Sequence, residues 1–207
     1  MKNILNYQTS EYDCGPTTLT NAIRYLFDRE SISPELLKAI SIYTLDAFDD
    51  HGETGKSGTS LMAMKFISNW FNQYGKTKKF PIYSEILEGN QVYIGQNSPI
   101  VGCLQQQGVV VAKVWLGDEG HYVLLTEIQE DKIGLFDPYY MEALSMELDI
   151  EFIHNRPEKI NRKINSQIMN SKEQQYYAFG NIEFREAMLI YNQNTRKTPE
   201  KSIEYMI

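Results

Sequence analysis

Four side chains of this sequence, those of Gln8, Cys14, His121 and Asp137, have the types that catalysis by a thiol nucleophile requires. Cys14 stands where a helix is expected to begin, because Pro16 suits a first helical turn and apolar residues then recur at helical spacing. Unpaired N–H groups and the helix dipole favour an anion at that end, which biases a thiol toward the reactive thiolate. Gln8 lies just upstream, near enough in sequence for its amide to donate to an oxyanion. This stretch therefore indicates a nucleophile site.

A lone cysteine is also among the most buried residue types, so chemistry at Cys14 needs a base and a group that orients the base. Of the three histidines, His51 lies in a glycine-rich loop and His154 in a polar segment. His121 opens an expected strand and is the candidate base. Asp137 closes the next strand, and its carboxylate is expected to accept from Nδ1–H and so to fix the tautomer and orientation of the ring.

The spacing of His121 and Asp137 leaves two strand registers open. A hairpin that turns at Glu130-Asp131 pairs residue 121 with residue 140 and leaves Asp137 on the other face. A turn centred on Gln129, or a β-bulge, brings residue 121 opposite residue 137. Spacing alone does not choose between them.

Helices are expected through the first third of the chain. The first contains the candidate nucleophile at its start, and a second begins at Ser33-Pro34, where a cap precedes a first-turn proline. Residues 46–60 lack periodicity, are rich in glycine and predict a loop. A third helix follows, with Thr59 or Ser60 as its cap and Gly75 as its stop.

The period of the sequence changes after residue 108, and no firm structure is assigned to the stretch 80–108. Beyond it, β-branched and aromatic residues predict three strands joined by polar turns, an antiparallel meander over residues 108–138. The polar stretch 142–170 is expected to hold some helix. Residues 185–193 predict one more strand before a charged tail.

Length and composition fit one soluble globular domain, with 207 residues of which 42% are hydrophobic and 23% charged. We expect this single domain, 1–207, to consist of two lobes. A mainly helical lobe over about 1–108 carries Cys14, and a mainly β lobe over about 109–207 carries His121 and Asp137.

Charge and hydropathy exclude several kinds of partner. The net charge of −7 argues against nucleic acid, whose binding depends on Lys and Arg. No apolar run approaches the ~20 residues of a membrane helix, and the N-terminus has no secretory signal, so a cytoplasmic protein is expected. Two cysteines are too few for a disulfide framework. Neither a cofactor nor a metal is expected.

The motifs stand in a recognisable order: Gln8, then Asp13-Cys14-Gly15, a helix, His-Tyr-Val-Leu-Leu at 121–125 and Asp-Pro at 137–138. This order resembles the double-glycine leader peptidases, the bacteriocin-processing peptidase family of the papain clan. That family is best known as the processing domain fused to bacteriocin-exporting ABC transporters. The resemblance spans roughly Tyr7 to Tyr140, closely at the two catalytic blocks and poorly between them.

The resemblance implies an α+β papain-like cysteine peptidase fold, in which an N-terminal helical lobe with Cys14 faces an antiparallel β-sheet lobe with His121 and Asp137. It also implies that Gln8 and the backbone N–H of Cys14 form the oxyanion hole. Pro16-Thr17-Thr18 departs from the small apolar residues usual in transporter-fused members. A stand-alone relative is therefore expected, with a peptide or an acyl or amide compound as its substrate.

The expected function is a cysteine peptidase-like hydrolase that cleaves a peptide or amide bond through a thioester. An acyltransferase or transamidase of the same fold uses the same thioester, so the sequence does not choose between them. A further alternative is an inactive papain-like module that only binds a peptide. The intact set of glutamine, cysteine, histidine and aspartate argues against it.

Two further alternatives lie in the loop 46–60. Gly55-Lys56-Ser57 is like the end of a phosphate-binding loop, but position 50, where that motif needs glycine, is Asp50. Acidic side chains beside His51 are like metal ligands, but no cysteine or second histidine completes a closed site. A solvated loop is the simpler interpretation of both, the acidic residues being Asp49, Asp50 and Glu53.

Overall fold

The computed structural model describes residues 3–142 and 149–197. Its helices are α1 (Cys14–Leu26), α2 (Pro34–Tyr43), α3 (Leu61–Lys78), α4 (Pro99–Gln105) and α5 (Ser166–Asn170). Its strands are β1 (Ile82–Glu88), β2 (Val109–Leu116), β3 (Glu119–Gln129), β4 (Lys132–Phe136), β5 (Ile150–Phe152), β6 (Arg162–Asn165) and β7 (Glu186–Asn192). No helix in the described ranges is both long and apolar enough to cross a bilayer.

The strands form one antiparallel sheet in the order β1-β7-β2-β3-β4-β6-β5. The predicted meander is confirmed as β2, β3 and β4, and the predicted late strand is β7. The position of β7 was not predicted: it lies between β1 and β2 and ties the two parts of the chain together. The division into lobes at about residue 108 stays a prediction. One strand crosses it, because β1 comes from the part of the chain before residue 108 and joins the sheet formed by the part after it.

Both faces of the sheet are covered, which explains why its central strands are apolar on both sides. Val111 and Leu124 belong to the core cluster that includes residues of α1, α2 and α3. Their neighbours along the strands, Ala112 and Val123, belong to a second cluster that includes residues of α4 and α5. The N-terminal helices therefore face an antiparallel sheet, and the α+β prediction is confirmed.

The helix starts follow the predicted caps, but one helix end does not. Ser33 and Ser60 accept from backbone N–H groups in the first turns of α2 and α3. The expected stop at Gly75 is wrong, because α3 continues to Lys78 and ends on Lys79 in the left-handed conformation (φ 54°). Gly75 instead permits close packing, since a Cβ there would lie 2.7 Å from the carbonyl oxygen of Ile82.

Residues 46–60 form the predicted loop, and hydrogen bonds within the loop define its shape. The Asp46 carboxylate accepts from the N–H of Ser60 at 2.9 Å and closes the loop at its ends. The Asp49 carboxylate accepts from the N–H groups of His51 and Glu53 at 2.9 and 2.8 Å. Both donors bond to the same oxygen, Oδ1, so Asp49 has a structural role within the loop.

Candidate active site

Cys14 is the first residue of α1, as the sequence predicted, and its side chain is 7% exposed. The preceding residue, Asp13, makes no capping bond and instead accepts from the N–H groups of Thr9 and Ser10 at 3.1 and 2.8 Å. Burial works to raise the pKa of Asp13, but these N–H groups and the hydroxyls of Thr9 and Ser10 lower it. Asp13 therefore fixes the short connection from Gln8 to the candidate nucleophile.

His121 and Asp137 lie in direct contact, with 2.7 Å between Nε2 of the ring and Oδ1 of the carboxylate. The two side chains are buried, at 5% and 0% exposure. Oδ1 also accepts from the N–H of Tyr139 at 2.8 Å, and Oδ2 accepts from the hydroxyl of Tyr177 at 2.6 Å. Burial works to raise the pKa of Asp137, yet the charge of His121 and these donors hold it below its usual range.

The His121 imidazole also interacts with the side chain of Cys14, in addition to its hydrogen bond with Asp137. Burial works to lower the pKa of His121. The charge and hydrogen bond of Asp137, with a smaller contribution from Cys14, raise it to about 10. The ionised pair of an imidazolium on His121 and a carboxylate on Asp137 is the state that these contacts favour.

The structure resolves the open question of strand register with a β-bulge. The hairpin turns at Glu130-Asp131, and Gln129 pairs with Lys132. The register then shifts by one residue between Leu125 and Glu127, so Leu124 pairs with Phe136. If this register is continued along β3 and β4, residue 137 lies opposite residue 123, on the same side of the sheet as residue 121.

The expectation that Asp137 accepts from Nδ1–H is wrong. Asp137 is offset along the strands from His121 rather than directly opposite it, so the distal nitrogen Nε2 reaches the carboxylate. Nδ1, the nitrogen nearer the backbone, is thereby left for Cys14. The orienting role is the same, with the two nitrogens exchanged.

Gln8 lies next to Asp137, but its amide is engaged locally. The backbone N–H of Gln8 donates to the carbonyl of Pro138 at 2.9 Å, which joins the N-terminal segment to the end of β4. Its Nε2 donates to the carbonyl of Ser10 at 2.8 Å, and its Oε1 is buried without a partner. Among the described residues Nε2 makes this one hydrogen bond, and the role of Gln8 in an oxyanion hole stays a prediction.

Sequence reasoning missed the residues that surround Asp137 from the second half of the chain. Asn161 brackets the aspartate backbone, accepting from its N–H at 2.8 Å and donating to its carbonyl at 2.7 Å. Tyr177 holds the second carboxylate oxygen. Asn161 lies in the polar stretch 142–170 and Tyr177 follows that stretch, and neither periodicity nor a motif singles them out.

The loop 46–60 contacts the nucleophile helix at Gly15. A Cβ at this position would lie 2.2 Å from Oγ1 of Thr59, a contact that no side chain can make. Thr59 is itself held by a hydrogen bond to the carbonyl of Thr44. Glycine is therefore required after Cys14 by the approach of the loop.

The other candidate groups of the sequence lie apart from this site. His51 and His154 are exposed. Lys56, of the phosphate-loop alternative, forms an ion pair with Glu53 in the exposed loop. In residues 3–142 and 149–197, no group of three or more His, Cys, Asp or Glu side chains could hold a metal ion.

Comparison with known proteins finds similarity in structure only. No protein-family model matches the chain, and no curated protein matches it. One similar solved structure is the peptidase domain of Streptococcus ComA, a bifunctional ABC transporter involved in a quorum-sensing pathway. It is 13% identical with a TM-score of 0.46, over 92% of this chain and 98% of that one.

Two further structures are of the same kind. The peptidase domain of Streptococcus mutans ComA is 12% identical with a TM-score of 0.41, over 91% of this chain and 98% of that one. A double-glycine motif protease from an AMS/PCAT transporter, in complex with the leader peptide, is 10% identical with a TM-score of 0.43. That match covers 92% of this chain and 91% of the protease. Two of these neighbours are thus described as peptidase domains and the third as a double-glycine motif protease.

Proposed function

We propose that this protein is a thiol hydrolase that cleaves a peptide or amide bond through a thioester on Cys14. One observation carries the proposal: a cysteine at the start of a helix interacts with a buried imidazole, which in turn bonds a fully buried carboxylate at 2.7 Å. A nucleophile, a base and an orienting group are the three parts that such catalysis needs.

In the acylation step, the Cys14 thiolate attacks the carbonyl carbon of the substrate and forms a tetrahedral intermediate. The backbone N–H of Cys14 and an N–H of the Gln8 amide stabilise the oxyanion. The imidazolium of His121 then gives its proton to the leaving amine, the C–N bond breaks, and the acyl group stays on sulfur. The pKa of about 10 keeps the ring protonated until the leaving group needs the proton.

In the deacylation step, neutral His121 takes a proton from water, and the resulting hydroxide attacks the thioester carbonyl. The C–S bond breaks, the acid product leaves, and Cys14 is again a thiolate beside an imidazolium. Asp137 stays ionised throughout, because three donors face its carboxylate. Its role is to hold the ring and to stabilise its charge.

The proposal is tested by intact-mass detection of a covalent adduct with a panel of acyl donors and electrophilic peptides. We expect an adduct that the Cys14→Ala variant does not form and that the Cys103→Ala variant, which lacks the other cysteine, still forms. Adding an amine to the acylated protein distinguishes hydrolysis from acyl transfer, since a transferase gives the amide product and a hydrolase the acid. Absence of any Cys14 adduct across the panel would contradict the proposal.

A further inference from the structure

Tyr177 holds the side of Asp137 that faces away from His121. Its hydroxyl donates to Oδ2 of the carboxylate at 2.6 Å, while Oδ1 accepts from His121. Tyr177 is completely buried, so no water competes for this hydrogen bond. The two oxygens of one carboxylate are thus divided between the candidate base and a tyrosine some forty residues further along the chain.

The backbone at Tyr177 is held in a conformation that its side chain disfavours. Its φ is 65°, in the left-handed region that bulky residues rarely adopt. Two hydrogen bonds to the end of β2 hold it there, since the Tyr177 N–H donates to the carbonyl of Trp115 at 2.7 Å and the Trp115 N–H donates to Ala178 at 2.9 Å. Such strain persists only where surrounding contacts enforce it, and it is found mainly at functional sites.

A buried cation lies behind the tyrosine. Arg162 is 2% exposed and donates to the carbonyls of Asn161 and Met141 at 2.8 and 2.9 Å. Within residues 3–142 and 149–197 it forms no ion pair with a carboxylate. Arg162 interacts with the Tyr177 hydroxyl. Burial and the charge of Asp137 raise the pKa of Tyr177, and the charge of Arg162 lowers it. A cation beside a phenol makes its O–H a stronger donor.

From these contacts we propose that Tyr177, with Arg162 behind it, is a positioning residue that keeps Asp137 ionised and aimed at His121. The proposal rests on the function proposed above. The ionisable groups that interact along this line are Cys14, His121, Asp137, Tyr177 and Arg162. Tyr122, whose hydroxyl donates to Glu186, also interacts with Cys14. Without the tyrosine hydroxyl, Asp137 takes up a proton at higher pH, because a donor that favours the carboxylate is gone. The buried His121 then becomes neutral, and Cys14 loses the imidazolium beside it.

The test is the rate of Cys14 alkylation by iodoacetamide, measured from about pH 4 to about pH 9 in three proteins, because thiolate alone reacts. Tyr177→Phe removes only the hydroxyl. Tyr191→Phe is the matched control, since Tyr191 is a buried tyrosine of the same core cluster whose hydroxyl contacts Cys103 instead. In Tyr177→Phe we expect the rate to fall most at the acid end of the range, by about threefold or more near pH 4, and the rate near pH 9 to stay within about twofold of wild type. The control should follow wild type throughout.

A profile of Tyr177→Phe that coincides with wild type at every pH, or that falls equally at every pH, would overturn the proposal. Thermal unfolding shows whether Tyr177→Phe is folded. If it is not, a protein with 3-fluorotyrosine at position 177 tests the same proposal through the same alkylation profile. The more acidic hydroxyl of 3-fluorotyrosine donates more strongly, so the acid side of the profile should move to lower pH, and no movement or the opposite one contradicts the inference. If His121→Ala slows Cys14 alkylation but Tyr177→Phe does not, the positioning role is wrong while the proposed hydrolase stands.

Discussion

Asp137 accepts a hydrogen bond from Nε2 of His121 at 2.7 Å because one extra residue, Thr126, lies in β3 between them. Without that bulge, the turn at Glu130-Asp131 would place the two side chains on opposite faces of the sheet. The bulge moves the register by one and brings them onto the same side. A local irregularity of β3 therefore decides whether this site has an orienting carboxylate.

His121→Ala should remove nearly all turnover, and Asp137→Asn should have a milder effect. The asparagine keeps an oxygen for His121 and Tyr139 and can turn its amide toward Tyr177, so the ring stays oriented while the stabilising charge is lost. Members of a catalytic unit are strongly non-additive, so the double variant should resemble His121→Ala alone. Steady-state kinetics on a substrate that requires Cys14 checks this. Wild-type activity in both single variants would rule out the triad.

Gln8→Ala should lower kcat more than it raises KM, because its amide is proposed to bind charge that develops only in the transition state. The loss of one such donor costs on the order of a hundredfold in rate. Gln8→Glu is the matched variant, since it keeps the size of the side chain but offers an acceptor in place of a donor. An effect confined to KM would make Gln8 a substrate contact instead.

Much of the fold and the identity of the candidate site followed from the sequence. Helical periodicity after Cys14 and the β-branched and aromatic residues around His121 placed both residues correctly, at a helix start and near a strand start. Such patterns depend on residues that are close together in the sequence, so they predict local structure. The site residues themselves stay predictions until they are tested.

What the sequence did not predict depends on contacts between distant parts of the chain. Gly75 looked like a helix stop, but it is glycine because the carbonyl of Ile82 approaches it. Asn161 lies just before β6 and Tyr177 lies well after it, so both reach Asp137 from beyond β4 in the chain. The bulge at Thr126 has no marker such as glycine. Long-range packing of this kind leaves no periodic trace in the sequence.

The stability of the fold should depend on pH through His121, whose pKa is raised from 6.5 to about 10. A group with a raised pKa stabilises the fold fully below its unfolded pKa and loses that contribution as the pH rises through the folded value. In a Cys14→Ala background, where no thiol titrates at the site, the free energy of unfolding should fall above about pH 6.5 by up to about 1.4 kcal/mol per pH unit. Urea unfolding at several pH values measures it. Adding His121→Gln should flatten this slope, and an unchanged slope would contradict the assignment.

Gly15→Ala should destabilise the protein by about 1–3 kcal/mol and slow the reaction of Cys14, because a methyl group there collides with Thr59. Thermal unfolding and Cys14 alkylation measure the two effects. Thr59→Gly removes the colliding atoms, so adding it to Gly15→Ala should restore much of the reactivity of Cys14.

Gly102→Ala is the matched control for this substitution. Gly102 lies inside α4, and the nearest atom to its added Cβ is Nε2 of Gln106 at 4.0 Å. It should be tolerated or slightly stabilising, since alanine favours a helix. Equal losses at both glycines would show that the contact between Gly15 and Thr59 has no special role.

The most direct measurement of the central claim is the relative rate at which iodoacetamide labels Cys14 and Cys103, followed by peptide mapping. Burial raises the pKa of Cys103 to about 12, and its side chain is completely buried, so it should stay unlabelled in the folded protein. Cys14, beside the imidazolium of His121, should be the cysteine that is labelled, and His121→Ala should slow that reaction by about tenfold or more. Preferential labelling of Cys103, or a Cys14 rate that does not depend on His121, would contradict the account.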